Sequence, residues 1–195
     1  MIGKLWCKLM RTFIAIDIDD ENLVTRIIEI ERTLKASGAH LKLVEPENLH
    51  ITLKFLGEID PKDLDIILDV VRKYSQEEHP FEIKLKGIGA FPSMKAPRVV
   101  WIGIDKNREK IISLATKISE ALEKLGFRKE EREFHPHITI ARVKRFNASL
   151  KNFINANQDI EIGEYYVRSI RIKKSTLTPH GPIYTTLSEI PLPEK

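Results

Sequence analysis

The strongest constraint on the fold is an internal repeat with a nearly constant offset. Three unlike features recur 87 or 88 residues apart: a strand-like run ending in aspartate (Asp17, Asp105), a helix-like segment ending in glycine (Gly38, Gly126) and a histidine-led tetrad (His50, His137). A common offset across unlike features indicates duplication of one structural unit. We therefore expect two similar halves, so that anything built on the tetrads exists in two copies.

Both halves alternate strand-like and helix-like segments. In the first half we predict strands at 13–17, 41–44, 49–56 and 81–89, with helices over 21–37 and from Pro61. In the second half we predict strands at 98–105, 134–143, 164–175 and 183–190, with helices over 106–126 and 148–155. Because the halves are repeats, we expect each of them to be a strand–helix–strand–strand–helix–strand unit. No low-complexity linker separates the repeats (about 10–90 and 97–192), so we expect two lobes packed together in one bilobal domain, 10–195, preceded by a tail or extension, 1–9.

Composition narrows the class of protein. A hydrophobic content of 42% with 31% charged residues excludes wholesale disorder. The single cysteine, Cys7, excludes an internal disulfide framework and a zinc site built from cysteines. No apolar run is long enough to span a bilayer, and the first ten residues lack a secretory cleavage pattern. We expect a cytoplasmic protein without a membrane partner.

The two tetrads, His-Ile-Thr-Leu at His50 and His-Ile-Thr-Ile at His137, carry the candidate chemistry. Alternate residues of a strand share one face, so each histidine points the same way as Thr52 or Thr139 while the apolar residues point into the core. If a pseudo-twofold axis relates the halves, two imidazoles and two hydroxyls face one cleft. One neutral histidine can then accept a proton from an attacking oxygen, and a protonated one can donate to a leaving oxygen. The threonine hydroxyls can donate hydrogen bonds to phosphate oxygens. The alternative is a pair of core histidines with satisfied hydrogen bonds, which a lone tetrad would favour and a matched pair does not.

With their surroundings, the tetrads resemble the paired HxTx motifs of the 2H phosphoesterase superfamily, and more closely its RNA 2′,3′-cyclic phosphodiesterase family, also called 2′-5′ RNA ligases. The similarity runs through RTFIAI (11–16), NLHITLKFLGE (48–58), PRVVWIG (97–103), HPHITIAR (135–142) and STLTPHGPIYTTL (175–187). It covers nearly the whole chain from Met10, with no departure at the four motif positions.

This resemblance implies an α+β fold in which two pseudo-symmetric lobes of antiparallel sheet, with outer helices, surround a central cleft. It implies hydrolysis of a terminal 2′,3′-cyclic phosphate on RNA to a 2′-phosphomonoester, with 2′-5′ joining when a 5′-hydroxyl replaces water. His50 would be the proton donor and His137 the proton acceptor, while Thr52 and Thr139 would bind phosphate. The motifs are nearly symmetric, so the residues themselves leave donor and acceptor unassigned. We expect no metal or nucleotide cofactor, RNA ends such as those of tRNA fragments as partners, and a monomer.

Three further residues near the tetrads are candidates. Arg142 lies three positions after Thr139, which places it on the opposite face of a regular strand; a bulge would return it to the cleft, where it would bind phosphate, and otherwise it is a surface arginine. His135 shares a strand face with His137, which leaves a metal site as an alternative. His180 lies in the turn TPHGP, at a loop that could touch RNA at the rim of the cleft.

The segment from Arg142 to Lys174 carries eight basic and three acidic residues, a net +5 against +4 for the whole chain. Such a local field suits an RNA backbone, although solvated strand faces would also explain it. In this segment Arg171 and Lys173 alternate with isoleucines, which predicts one exposed basic face. Two other functions stay open: a non-catalytic protein that binds RNA ends, and a phosphodiesterase for small cyclic phosphate nucleotides.

Overall fold

The computed structural model describes residues 9–131, 133–179 and 181–194. The first half of the chain forms β1 (Met10–Asp17), α1 (Glu21–Lys35), β2 (His40–Leu43), β3 (His50–Ile59), α2 (Leu64–Ser75) and β4 (Phe81–Phe91). The second half forms β5 (Val99–Ile104), α3 (Arg108–Lys124), β6 (His137–Arg145), α4 (Ala148–Ala156), β7 (Glu161–Val167), β8 (Ser169–Thr178) and β9 (Gly181–Pro191). The α+β prediction is confirmed.

Local sequence signals explain several helix starts. The Asp20 side chain accepts a hydrogen bond from the backbone N–H of Leu23 at 2.8 Å, and Asn147 does the same for Leu150 at 2.8 Å. Each bond satisfies an N–H that has no partner within the first turn of α1 or α4. Pro61 lies in a 3-10 turn directly ahead of α2, where its missing N–H costs nothing.

The second half departs from the predicted pattern in two places. The described residues between α3 and β6 form no strand, so β2 has no counterpart there. The predicted strand 164–175 is wrong as a single element, because the chain leaves β7 at Val167 and enters β8 at Ser169. Both Val167 and Ile170 are fully buried although they are three residues apart. Residues three apart in one regular strand point to opposite faces, so the buried face must change between Val167 and Ile170.

The strands form one sheet in the order β7-β4-β5-β6-β3-β1-β8-β9, with β2 paired to β6. We call β3, β1, β8 and β9 the His50 lobe, and β7, β4, β5 and β6 with β2 the His137 lobe. The neighbouring strands pair antiparallel throughout, and the two lobes join where Ile51 of β3 pairs with Ile138 of β6. Neither lobe coincides with one half of the sequence, because β4 joins the second-half strands and β8 and β9 join β1 and β3.

The core lies on one face of this sheet. Ile51 and Ile138 are fully buried in a hydrophobic cluster that includes the inner faces of all four helices, through Ile27, Ile67, Ile111 and Ile154. Burying each such side chain contributes about 1.5–3 kcal/mol, before the entropy cost of ordering it. The other face at the β3–β6 junction is not covered by these helices and can receive a ligand. Among the described helices, none has both the length and the apolar run that crossing a bilayer requires.

Candidate active site

The β3–β6 junction brings the two tetrads together. Because Ile51 pairs antiparallel with Ile138, His50 stands beside Thr139 and Thr52 stands beside His137 on the same face. All four side chains are half-buried, whereas the isoleucines between them are fully buried on the opposite face. We call these four residues the histidine–threonine cluster. The two imidazoles lie diagonally across it, so a group bound at its centre has a histidine on each side.

Both imidazoles are held by the same backbone interaction. His50 Nδ1 lies 2.6 Å from the carbonyl oxygen of Asn48, and His137 Nδ1 lies 2.6 Å from that of His135. A carbonyl only accepts, so each Nδ1 carries a proton and donates it. The Nε2 atom of each ring is thereby left for the ligand. It accepts a proton when the ring is neutral and donates one when the ring is charged.

Burial lowers the pKa of both histidines. For His50 the loss of solvent is the largest cause, opposed by the bond to Asn48 and by the charge of Asp17, and reinforced by Lys173 and His137. For His137 the loss of solvent again dominates, and the charge of His135 adds to it. Each ring therefore titrates below its ordinary pKa, and His50 responds to the charge on His137.

Each histidine has its own pair of aromatic neighbours. The His50 ring lies 5.1 Å from Phe13 and 5.3 Å from Tyr184, measured between ring centroids. The His137 ring lies 5.0 Å from Phe91 and 6.2 Å from Trp101. Phe13 and Trp101 are 88 residues apart, so the repeat offset could have identified this pair from the sequence. These rings restrict the histidines and offer apolar surfaces next to the cluster.

A cavity of about 360 Å³ opens beside His137, lined among others by Phe91, Trp101 and Arg108. Gly89 leaves the space that the Trp101 ring occupies, since a Cβ at Gly89 would lie 2.2 Å from that ring. Any larger residue at this position would displace the tryptophan and reshape the cavity.

A bulge in β6 brings Arg142 to the face of the cluster. Val100 pairs with Ala141 but Trp101 pairs with Thr139, so Ile140 is an extra residue. As a result Ile140 and Ala141 are both buried, and the exposed Arg142 returns to the face of Thr139. The equivalent bulge in β3 does the same for Phe55, which is 62% exposed and which sequence analysis missed.

Other predicted residues are placed differently. Arg171 and Lys173 do not form an exposed basic face, and that prediction is wrong: Lys173 is buried and paired with Asp17, and Arg171 donates to Asp17 at 2.8 Å and to Asp19 at 3.0 Å. The physical reason is that acidic side chains of the two neighbouring strands, Asp17 of β1 and Glu189 of β9, lie beside these cations and pair with them.

The two remaining predicted histidines lie outside the cluster. His135 lies at the cavity rim, 6.3 Å from the Phe91 ring. Within the described ranges no group of three or more histidine, cysteine, aspartate or glutamate side chains is arranged to hold a metal. His180 lies outside the described residues.

Known proteins resemble this chain over most of its length. The family model for LigT-like phosphoesterases matches the chain twice, over residues 16–101 and 102–184. The RNA 2′,3′-cyclic phosphodiesterase of Methanocaldococcus jannaschii is 44% identical over 182 residues, which is 92% of this chain and 99% of the relative. The protein of that name from Methanothermobacter thermautotrophicus is 42% identical over 180 residues, 91% of this chain and 96% of the relative.

Solved structures share the fold. The protein TT0787 of Thermus thermophilus superposes with a TM-score of 0.81 at 28% identity, covering 95% of this chain and all of that one. E. coli LigT complexed with 3′-AMP superposes with a TM-score of 0.77 at 25% identity, covering 95% of this chain and 99% of that one.

Proposed function

The chain belongs to the LigT-like phosphoesterase family, and on that premise we propose that it hydrolyses the terminal 2′,3′-cyclic phosphate of RNA to a 2′-phosphomonoester. The observation that carries the proposal is the histidine–threonine cluster, in which two imidazole Nε2 atoms flank a site bordered by two hydroxyls. Binding alone would not need a matched proton donor and acceptor, which disfavours a non-catalytic RNA-end binding protein.

The cluster supports an in-line displacement at phosphorus. Neutral His137 accepts a proton from water through Nε2 as the water oxygen attacks the phosphorus. The bond from phosphorus to O3′ breaks, and charged His50 donates its Nε2 proton to that departing oxygen. Thr52 and Thr139 donate hydrogen bonds to the non-bridging oxygens, where negative charge grows. The products are a 3′-hydroxyl and a 2′-phosphate.

The same chemistry accepts a different nucleophile. A 5′-hydroxyl of a second RNA, deprotonated by His137 in place of water, would give a 2′-5′ bond, and the reverse reaction would cleave it. The proposal includes this reaction together with RNA ends such as those of tRNA fragments as substrates for a cytoplasmic monomer. The names of the relatives support the RNA cyclic phosphate substrate, and the 3′-AMP complex of E. coli LigT supports the binding of a nucleotide.

A single assay tests the proposed function. Purified protein is incubated in EDTA with an RNA that ends in a 2′,3′-cyclic phosphate, and the new terminus is identified by its resistance or sensitivity to 3′-specific phosphatase. We expect a 2′-phosphate and no loss of rate from the chelator. A 3′-phosphate product would contradict the proposal. A rate that requires added divalent metal would also contradict it and would favour the metal alternative at His135 and His137.

The pH profile should be bell-shaped and centred on the acid side. The active form has His137 neutral and His50 charged, so protonation of His137 ends activity at low pH and deprotonation of His50 ends it at high pH. Burial lowers the pKa of both, so kcat/KM, which reports the free enzyme, should peak below pH 6.5. The bound phosphate favours the charged imidazole, so the alkaline limb of kcat should lie at higher pH. A kcat/KM that rises steadily to pH 8 would contradict the acid role.

A longer RNA should bind better than a cyclic mononucleotide, through cations at the cleft. Arg142 and Arg11 are exposed. Burial raises the pKa of the Tyr184 hydroxyl, and the positive charges of these two arginines lower it. Each phosphate that they engage on a single strand adds about −0.7 to the slope of log affinity against log salt. Replacing both by alanine should remove that part of the slope. Arg72→Ala, on α2 of the opposite face, is the matched control.

Two results would count against this substrate class. Equal affinity for an oligonucleotide and a cyclic mononucleotide at low salt would favour the phosphodiesterase for small cyclic phosphate nucleotides. A salt slope that falls as much in Arg72→Ala as in the double variant would show that Arg142 and Arg11 act only through net charge.

A further inference from the structure

The two catalytic histidines have equivalent motifs but different surroundings. Each donates from Nδ1 to the carbonyl two residues earlier and stands beside a threonine of the other strand. Nothing within this shared geometry makes one histidine the donor and the other the acceptor. The difference must come from the strands that flank β3 and β6.

A carboxylate lies next to His50 on the neighbouring strand. Asp17, at the end of β1, is the antiparallel partner of His50 in β3, and the side chains of paired residues share a face. Its Oδ2 atom is held by Lys173 and by Arg171 of β8. Its Oδ1 atom is buried and has no hydrogen-bond partner among the described residues. The carboxylate is therefore fixed in place from one side and unpartnered on the other.

The described residues of the His137 lobe form no such arrangement. The strand partner of His137 is Gly103, which has no side chain, whereas Asp105, 88 residues after Asp17, is exposed. The charge that acts on His137 is that of His135. In the His50 lobe, Lys173 of β8 is the strand partner of Phe13. In the His137 lobe, Trp101 lies 88 residues after Phe13, and its strand partner in β4 is Gly89, which has no side chain. Among the described residues, a carboxylate held by cations thus lies beside His50 and not beside His137.

We propose that Asp17 is a positioning residue that favours the charged form of His50, and that Lys173 and Arg171 fix its carboxylate and limit its effect. The duplicated motif provides two equal imidazoles, and this ion cluster makes His50 the proton donor. This inference rests on the proposed function, because only in that reaction is His50 a proton donor. The charge on His50 can nevertheless be measured without catalysis.

Other groups near His50 do not supply the same bias. The titratable and charged groups that face His50 come from four strands: Asp17 of β1, Lys173 of β8, Tyr184 of β9 and His137 of β6. The titratable and charged groups around Asp17 itself are Lys173, Arg171 and Tyr165. The hydroxyl of Tyr165 donates a hydrogen bond to Asp19 at 2.8 Å. Asp17 is the carboxylate of this set that acts directly on His50, and its influence exceeds that of Lys173.

The test is the titration of His50 by NMR in the ligand-free protein, with the His50 signal assigned by its loss in His50→Gln. Asp17→Asn should lower the titration midpoint by about one pH unit, the size expected for two charges one strand apart. Lys173→Met should raise it, because a cation near His50 is removed and Asp17 stays. The alkaline limb of kcat/KM should move in the same directions as the midpoint. Asp105→Asn is the matched control and should move neither.

Opposite shifts distinguish this role from a structural one, since loss of either partner of a buried ion pair destabilises the fold in the same direction. If Asp17→Asn does not fold, Asp17→Asn with Lys173→Met removes both buried charges and should give a midpoint below that of the wild type. Midpoints that stay fixed, or that move together in Asp17→Asn and Lys173→Met, would overturn the inference. A wild type that releases no 2′-phosphate would overturn the proposed function and leave these midpoints unaffected.

Discussion

Replacing either histidine of the cluster by alanine should lower turnover by about 10²–10⁴, the usual range for loss of one general acid or base. In the proposed mechanism, His50→Ala removes the proton donor and His137→Ala removes the proton acceptor. Neither loss is replaced by a neighbour, because the bond to Asn48 or His135 fixes each ring separately. Initial rates on a cyclic phosphate-ended RNA, at matched protein concentration, provide the measurement.

Two further variants make this experiment decisive. The double variant should be little worse than the worse single one, because donor and acceptor act in one displacement. His79→Ala is the matched control: His79 bonds the carbonyl of Pro193 at 2.8 Å, is exposed, and should leave turnover unchanged. If His50→Ala or His137→Ala retained wild-type turnover while folding normally, the two-histidine mechanism would be wrong.

The threonines should give the second-largest effect. Thr52→Val or Thr139→Val keeps the shape of the side chain and its fit to a strand but removes the hydroxyl, so we expect a loss of about 10–10³ in kcat. KM should change less, because the hydrogen bond strengthens as charge grows on the phosphate oxygens in the transition state.

Serine variants separate the hydroxyl from the methyl group. Thr52→Ser and Thr139→Ser retain the donor, so they should keep most of the turnover that the valine variants lose. Equal losses in the serine and valine variants would show that the threonines act by packing. The measurement is single-turnover kinetics, which isolates the chemical step from product release.

Much of the cluster could be predicted because it depends on local periodicity. The alternation of a strand dictates that His50 and Thr52 share a face, and the repeat offset pairs them with His137 and Thr139. The structure adds the antiparallel pairing of Ile51 with Ile138, which sets the imidazoles on a diagonal. No pattern in either tetrad contains that pairing, because it joins residues 87 positions apart.

The remaining features depend on which strands become neighbours. Lys173 alternates with isoleucines as an exposed residue would, yet it is buried and pairs with Asp17 of the neighbouring strand β1. Arg142 reaches the cluster because Ile140 is an extra residue in β6. The sequence signal for this bulge is that two apolar residues in a row, Ile140 and Ala141, precede Arg142. Tyr184 contacts His50 from the last strand, and no spacing connects the two.

The exchange of strands between the two halves also affects the order in which the surroundings of the site can form during synthesis, because β8 and β9 belong to the His50 lobe. The His137 lobe is complete once β7 has left the ribosome, but the His50 lobe needs β8 and β9, and Lys173 lies 156 residues after Asp17. Contacts of such long range form late, because the intervening chain must first be made and ordered. Both histidines are therefore synthesised before β8 and β9, and a nascent chain lacking these two strands contains the whole histidine–threonine cluster but not Lys173, Arg171 and Tyr184, which surround Asp17 and His50.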